Sequence, residues 1–411
     1  MDIVASGSSG GGAHKRKPRI GVDACCWSNR RGFGRFTREL LTALVDTDNE
    51  HEYVFFVDHD TARTSEFPPN VRLVVASTDV TPTVAASASG RRSLKDMWAL
   101  SRAVMKEPID LFFFPAVYSY FPILKRCKII VTIHDMMADH HPERVFPNWQ
   151  SKVFWKLKQN VALRQADMIL TVSNHAKQQI VDYFRIPDAR VAATTEGPSE
   201  VFTHMPNPAG PVQVLERYGL KPSGSFVLYV GGISPYKNLG VLVDAFHRLA
   251  ADPHFGGLKL VLVGDYKGDV FYSHYAELKA DIEQRGLADR VLFTGFVPDN
   301  ELVVLYNLAR ALVLPSLEEG FGLPAVEAMA CGTPVIASDR GSLPEVVESA
   351  GLFFDPSRPD VLVTVLRDVL NSESIRDRMS LAGLERSRLF TWELGAKSTA
   401  ALFDRVIREG F

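Results

Sequence analysis

The chain has 411 residues, 46% hydrophobic and 23% charged, with 46 basic and 48 acidic side chains for a net charge of −2. At about 150 residues per domain that length predicts two to three domains, each with ample core. The near-neutral balance argues against nucleic acid as the main partner, and 29 Gly with 24 Pro excludes collagenous and low-complexity classes.

Residues 1–17, a Gly/Ser run ending in basic residues, read as a flexible tail. They hold no apolar signal core, so secretion is not expected. Strands are predicted at Arg19–Ala24, Tyr53–Val57, Val71–Val75, Leu111–Phe114, Ile129–Ile133 and Met168–Val172. Helices between them fit Phe33–Val45, Arg92–Lys106, Asn148–Ala166 and Asn174–Phe184. The Pro- and Gly-rich stretch Met205–Pro222 breaks this alternation. It restarts with strands at Phe226–Val230, Leu258–Val263, Arg290–Phe293, Ala311–Leu314, Val335–Ala337 and Gly351–Phe354.

Near-continuous apolar strands are buried on both faces, as in doubly wound parallel sheets. The fold class is therefore α/β: two Rossmann-like domains, 18–205 and 225–391, joined by a linker at 206–224 and facing across a cleft. In such sheets ligands sit beyond the carboxyl ends of the strands. No run reaches 18 apolar residues, so no membrane span is expected. Cys25, Cys26, Cys127 and Cys331 show no zinc-ligand spacing, so neither a metal nor a disulfide framework is expected. Free thiols suit a reducing cytoplasm.

In the Arg92–Lys106 helix, Leu94, Met97, Trp98, Ser101, Val104 and Met105 share one face, beside Arg91, Arg92, Lys95, Arg102 and Lys106. This pattern fits an ordinary surface helix with a core-facing stripe. Peripheral contact with an anionic membrane surface or a lipid-linked phosphate is the second reading, behind the surface helix.

The richest constellation is PSLEEGFGLPAVEAMACGTP, residues 315–334. A strand runs into a turn containing Gly320 and Gly322. Pro324 then suits the first helical turn, and Gly332 with Pro334 stops the helix. The amides of Phe321, Gly322 and Leu323 should point out of a helix N-terminus, a geometry that binds phosphate or pyrophosphate. Glu327 on that helix is placed to accept two hydrogen bonds from a ribose diol. Glu319, ahead of the turn, would face whatever lies beyond the pyrophosphate, and a sugar rich in hydroxyl donors fits there.

A second loop follows the strand Phe226–Val230. Gly231-Gly232 makes the turn, and Lys237 supplies a point charge for a leaving diphosphate. In the first half, Asn29-Arg30-Arg31-Gly32-Phe33-Gly34-Arg35 lies between a strand and a helix. Its glycines suit an anion or close substrate approach, and Arg30, Arg31 and Arg35 suit an acidic or phosphorylated acceptor. His134-Asp135 sits at the carboxyl end of a buried strand, where His134 faces the expected cleft.

GISPYKN followed by EEGFGLPAVEAMACGTPVIAS resembles the family-4 retaining glycosyltransferases (glycosyltransferase group 1, GT-B fold), which carry two glutamates at the Glu319–Glu327 spacing in this Gly-Phe-Gly context. The likeness runs from about Phe226 to Pro356. The first half is similar more loosely, through Gly32, Gly34 and His134-Asp135. The resemblance implies that Glu327 holds the donor ribose, Glu319 the transferred sugar, and the Phe321–Leu323 amides the donor near its diphosphate. It implies that His134 contacts the sugar and its phosphate, that Gly34 lines the cleft opposite the donor, and that the Gly295–Pro298 loop, with Val297, flanks the nucleobase. An arginine is common in the family where Gly232 stands, which leaves one cation fewer here. It also implies a closing helix, 392–411, that crosses back to the first domain.

The reading is a cytoplasmic hexosyltransferase, with His134, Lys237 and Glu319 as catalytic candidates and no cofactor. Its partners are a nucleotide diphosphate sugar, GDP-mannose ahead of UDP-glucose, and a glycan, polysaccharide or lipid-linked acceptor. A peripheral position at the inner membrane face is left open. Two rivals remain: a non-catalytic nucleotide-sugar-binding scaffold subunit, favoured only by Gly232, and an NAD-dependent oxidoreductase, which lacks its Gly-x-Gly-x-x-Gly fingerprint here.

Overall fold

Runs such as LFFF at 111–114 and ALVL at 311–314 have no polar face to offer water, so they fold where helices cover both sides of a sheet. Every residue of both runs is buried. The computed structural model describes residues 16–29, 31–78, 93–124, 126–146, 148–206, 211–266 and 273–409.

The first sheet comprises β1 Arg19–Asp23, β2 Glu52–Asp58, β3 Arg72–Ala76, β4 Leu111–Phe114, β5 Lys128–Thr132, β6 Met168–Thr171 and β7 Val191–Ala193. Its order is β3-β2-β1-β4-β5-β6-β7. The second comprises β8 Phe226–Val230, β9 Lys259–Val263, β10 Val291–Gly295, β11 Ala311–Leu314, β12 Val335–Ser338 and β13 Leu352–Phe354, in the order β10-β9-β8-β11-β12-β13. Every pairing among the described residues is parallel. Both sheets reverse strand order once, between β1 and β4 and between β8 and β11. Such switch points open a crevice at the carboxyl ends of their strands.

The helices that shape the site are α1 Gly32–Thr47, α2 Leu94–Lys106, α3 Trp149–Gln165, α4 Asn174–Phe184, α5 Asp299–Leu308, α6 Leu323–Ala330 and α7 Trp392–Glu409. α7 crosses back onto the first sheet. Phe403 meets Phe113 at 5.3 Å between ring centroids, and Trp392 meets Phe36 at 6.0 Å. Thr194 Oγ1 donates to the Gly395 carbonyl at 3.1 Å, tying together the two places where the chain changes domain.

The structure departs from the sequence reading at two places. β7 was not anticipated: it is three residues long and only Val191 is fully buried, too short a signal to separate from a loop. α2 starts at Leu94, capped by Ser93, whose Oγ accepts from the Asp96 amide at 3.0 Å. Its expected single apolar face is divided. Leu100 and Val104 are in the core, while Trp98 is 53% exposed with Arg102 over its ring at 5.0 Å. Arg91 and Arg92 lie outside the described residues. Among the described residues no helix is long and apolar enough to cross a membrane.

Candidate active site

β8 ends in the Gly231-Gly232 turn, held by Tyr229, whose hydroxyl donates to the Gly232 carbonyl at 2.7 Å. A single 3-10 turn, Pro235–Lys237, follows and aims Lys237 back over the strand ends. The Lys237 ammonium donates to Glu319 Oε1 at 2.6 Å, and Ser316 Oγ donates to the same oxygen at 2.7 Å. Burial works against the lysine's charge, but Glu319 and the surrounding hydroxyls outweigh it and raise its pKa above the ordinary value. A Cβ at Gly232 would meet only Ser234 Oγ, at an ordinary contact distance of 3.8 Å, so a side chain could be accommodated there.

α6 begins at Gly322, whose φ of 95° only glycine adopts readily and where a Cβ would stand 2.7 Å from Leu343. The first helical turn leaves the Phe321, Gly322 and Leu323 amides without intrahelical acceptors. No other protein group among the described residues accepts from them. One and a half turns on, Glu327 is buried, accepting from the Tyr306 hydroxyl at 2.9 Å and from Arg35 at 2.9 Å. Burial pushes its carboxyl up to about 7, while Arg35 and Tyr306 pull toward the ionised form.

The first domain supplies the opposite wall. Arg38 donates to the carbonyls of Trp27 and Asn29 at 2.6 Å each, pinning the loop after β1, and Gly34 packs directly on the Asn29 carbonyl. Arg35, expected to meet an acceptor, instead bridges to the second domain, bonding Glu327 at 2.9 Å and Asp299 at 2.6 Å. Arg31 is half-buried at the N-terminus of α1, in the field of Tyr236, Tyr118 and Asp265, and desolvation lowers its pKa. Arg30 lies outside the described residues.

His134, at the end of β5, donates from Nε2 to the Pro115 carbonyl at 2.9 Å, since a carbonyl only accepts. Phe36 lies edge-on to its ring at 4.6 Å. Burial pushes the imidazole down to about 4, so it is neutral near pH 7. Burial likewise lifts Asp135 to about 6.

The two halves close on the turn ahead of α6. Ser173 Oγ donates to the Gly320 carbonyl at 2.6 Å. Any Cβ at Gly320 would overlap the His134 carbonyl, so this glycine admits the first domain. Glu345 accepts from the Asn174 and His175 amides, both at 2.9 Å, at the N-terminus of α4. Gln179 donates to Glu318 at 2.9 Å. Val297 is buried in the loop after β10. A cavity of about 470 Å³ beside Tyr218, Tyr266, Tyr275 and Phe293 lies along the edge strand β10, and no residue of the Lys237–Glu319 cluster lines it.

Asp299, Tyr306 and Glu345 were not anticipated from sequence. Each meets its partner through the fold rather than through local spacing, so no short motif marked them.

Residues 215–386 match the family described as Glycosyl transferases group 1, and residues 30–194 match Glycosyltransferase Family 4. The O-antigen chain mannosyltransferase B of Escherichia coli is 33% identical over 274 residues, covering 65% of this chain and 67% of that one. This chain belongs to glycosyltransferase family 4. The serotype-specific mannosyltransferase WbdA of Escherichia coli is 30% identical over 285 residues; the match covers 68% of this chain but 34% of that longer protein. Among solved structures, sucrose-phosphate synthase from Thermosynechococcus elongatus superposes with a TM-score of 0.74 at 20% identity, over 95% of this chain and 99% of that one. That likeness establishes the two-domain GT-B fold. In this glycosyltransferase the crevice holds the Lys237 ammonium, the backbone amides of Phe321–Leu323 and the carboxyl groups of Glu319 and Glu327, an arrangement fit for stabilising a departing anion.

Proposed function

We propose that this glycosyltransferase moves a hexose, with retention of configuration, from a nucleoside diphosphate sugar to a glycan, polysaccharide or lipid-linked acceptor. The observation that carries the reading is the convergence at the β8/β11 switch point. Lys237, Glu319 and the unengaged amides of Phe321–Leu323 meet there, with Glu327 on the same short helix.

As the glycosidic bond breaks, negative charge grows on the diphosphate. Lys237 and the α6 N-terminus stabilise that charge. Arg31, on the first domain and within the electrostatic field of Tyr236, is the cation assigned to stand in for the arginine absent at Gly232. Glu327 receives the ribose diol when Arg35 gives way, and Glu319 and His134 face the hexose. Closure of the domains on Gly320 excludes water and aligns the acceptor hydroxyl.

GDP-mannose is the favoured donor, and the names of the two Escherichia coli mannosyltransferases support its sugar. A lipid-linked acceptor is supported by an exposed ridge on α3 in the first domain, where Trp149, Val153 and Leu157 stand at helical spacing beside Lys156. The test is donor turnover by the purified chain. Release of GDP from GDP-mannose, accelerated by a lipid-linked glycan, supports the reading. Turnover of no nucleotide sugar with any glycan acceptor refutes it.

A further inference from the structure

The amides at the start of α6 are aimed by the peptide planes that carry them. The described peptides are all trans, and a trans peptide is planar with its N–H opposed to its C=O. Whatever holds the carbonyl therefore aims the amide. The peptides that carry the Phe321, Gly322 and Leu323 amides each have a bound carbonyl. The Gly322 carbonyl accepts from the Ala325 amide at 2.8 Å, within α6. The Phe321 carbonyl accepts from Ser342 Oγ at 2.8 Å, within the second domain. The Gly320 carbonyl, which aims the Phe321 amide, accepts from Ser173 Oγ at 2.6 Å. Ser173 belongs to the first domain, so the aim of this one amide is set from across the cleft.

A carboxylate of the second domain keeps Ser173 in place. Ser173 is the N-cap of α4, and its Oγ accepts from the Ala176 amide at 3.1 Å. The two earlier amides of that helix, Asn174 and His175, donate to Glu345 at 2.9 Å, one to each carboxylate oxygen. Asn174 Nδ2 adds a bond at 3.0 Å. A carboxylate there meets the unpaired N–H groups of the helix and the positive end of its dipole. Glu345 lies on the one-turn helix Leu343–Val347, which Ser342 immediately precedes. Arg386 pins that turn from behind, through the Glu345 and Val346 carbonyls at 2.7 and 3.0 Å. Ahead of α6, Gln179 of α4 donates to Glu318 at 2.9 Å, so α4 is gripped on both sides of the turn.

We propose that Glu345 is a positioning residue for the transfer reaction: its grip on the N-terminus of α4 seats Ser173 on the Gly320 carbonyl and so aims the Phe321 amide at the departing diphosphate. Glu345 itself touches no substrate. Ser173 and Asn174 are neighbours in the chain, so the Glu345 bonds and the Ser173 bond form or part together as the domains move. When they part, the Asn174 and His175 amides turn to water and the Phe321 amide loses its aim, while the Gly322 and Leu323 amides keep theirs. The second domain still holds the nucleotide, but the charge that grows on the diphosphate meets one oriented donor fewer. The inference rests on the reading of this turn as the diphosphate site.

The test compares wild type, Glu345→Ala, Glu345→Gln, Ser173→Ala and the double variant, each as the full chain. Release of nucleoside diphosphate from GDP-mannose or UDP-glucose, with a lipid-linked glycan as acceptor, gives kcat and KM. Calorimetric titration gives the affinity for GDP or UDP. Glu345→Ala should lower kcat at least about tenfold, the scale of hydrogen bonds to a charged group, with nucleoside diphosphate affinity within about twofold of wild type. Glu345→Gln, which keeps an acceptor oxygen, should recover part of the loss. Ser173→Ala should fall at least as far as Glu345→Ala. The double variant should fall no further than Ser173→Ala, because both side chains act through one peptide, whereas independent losses multiply. An unchanged kcat in Glu345→Ala, or losses that multiply in the double variant, overturns the positioning role and leaves the donor reading standing. Failure of wild type to turn over any nucleotide sugar overturns both.

Discussion

Arg35, in the first turn of α1, donates to the Glu327 carboxylate across the domain boundary at 2.9 Å. The carboxylate suited to a ribose is thereby occupied by a cation from the opposite domain. Arg35 also holds Asp299 at 2.6 Å, so it ties two elements of the second domain, α5 and α6, to the first. In the proposed reaction, exchange of Arg35 for a ribose diol would couple nucleotide binding to the relation between the domains.

Removing Arg35 leaves Glu327 buried without its counter-charge. Arg35→Ala is expected to lower stability by about 3 kcal/mol, as loss of one partner from a buried pair does. Denaturant unfolding at pH 8, where Glu327 is ionised, measures it. An unchanged midpoint would show that the bridge contributes nothing.

In the proposed reaction Lys237 and Glu319 stand at the reacting centre. Lys237→Ala and Glu319→Ala are each expected to cut transfer by about 100-fold or more, the scale seen for single charge-stabilising groups. Steady-state rates at saturating donor check this. Near-wild-type rates in both variants remove these residues from the chemistry.

Gly320 carries a steric prediction. A methyl group there overlaps the His134 carbonyl, so Gly320→Ala should hold the domains apart. Nucleoside diphosphate should still bind the second domain while transfer falls at least about 100-fold, as misplacement of reacting groups by an ångström does. Small-angle scattering should show a more open particle; a compact and active variant contradicts the account.

The buried acids give a pH signature. The folded-state values of Glu196 and Glu327 are raised from 4.5 to about 8 and about 7. The folded state then binds more protons than the unfolded one across that window. Their contribution is full below about 4.5 and is lost as pH rises through 7 to 8. The melting temperature should therefore fall between pH 6 and pH 9, and Glu196→Gln should reduce that fall. An unchanged slope in the variant would mean that Glu196 is ionised at both ends of the range.

Much of the framework was legible in the sequence because the strands are short, apolar and buried on both faces. Leu111–Phe114, Phe226–Val230 and Ala311–Leu314 have the bounds read from composition alone. β7 was not legible, since three half-buried residues carry no period. Lys237, Glu319 and Glu327 stood out because the helix-opening motif places them within a short span. Arg35 against Glu327, Ser173 against Gly320 and Glu196 against His134 could not be read. The first two pairs are joined by the way two domains face each other and the third by two strand ends of one sheet, and nothing in the local sequence of either partner records it. The exposure of Trp98 was missed for a related reason: helical spacing groups side chains, but only the neighbouring strand decides which of the group are covered.

The measurement that bears most directly on the account is a crystal structure of the chain with GDP-mannose bound. The ribose hydroxyls should lie on Glu327 with Arg35 displaced, the diphosphate on Lys237 and the Phe321–Leu323 amides, and the hexose between Glu319 and His134. A nucleotide seated in the cavity along β10, with Arg35 still on Glu327 and the α6 N-terminus untouched, would contradict it.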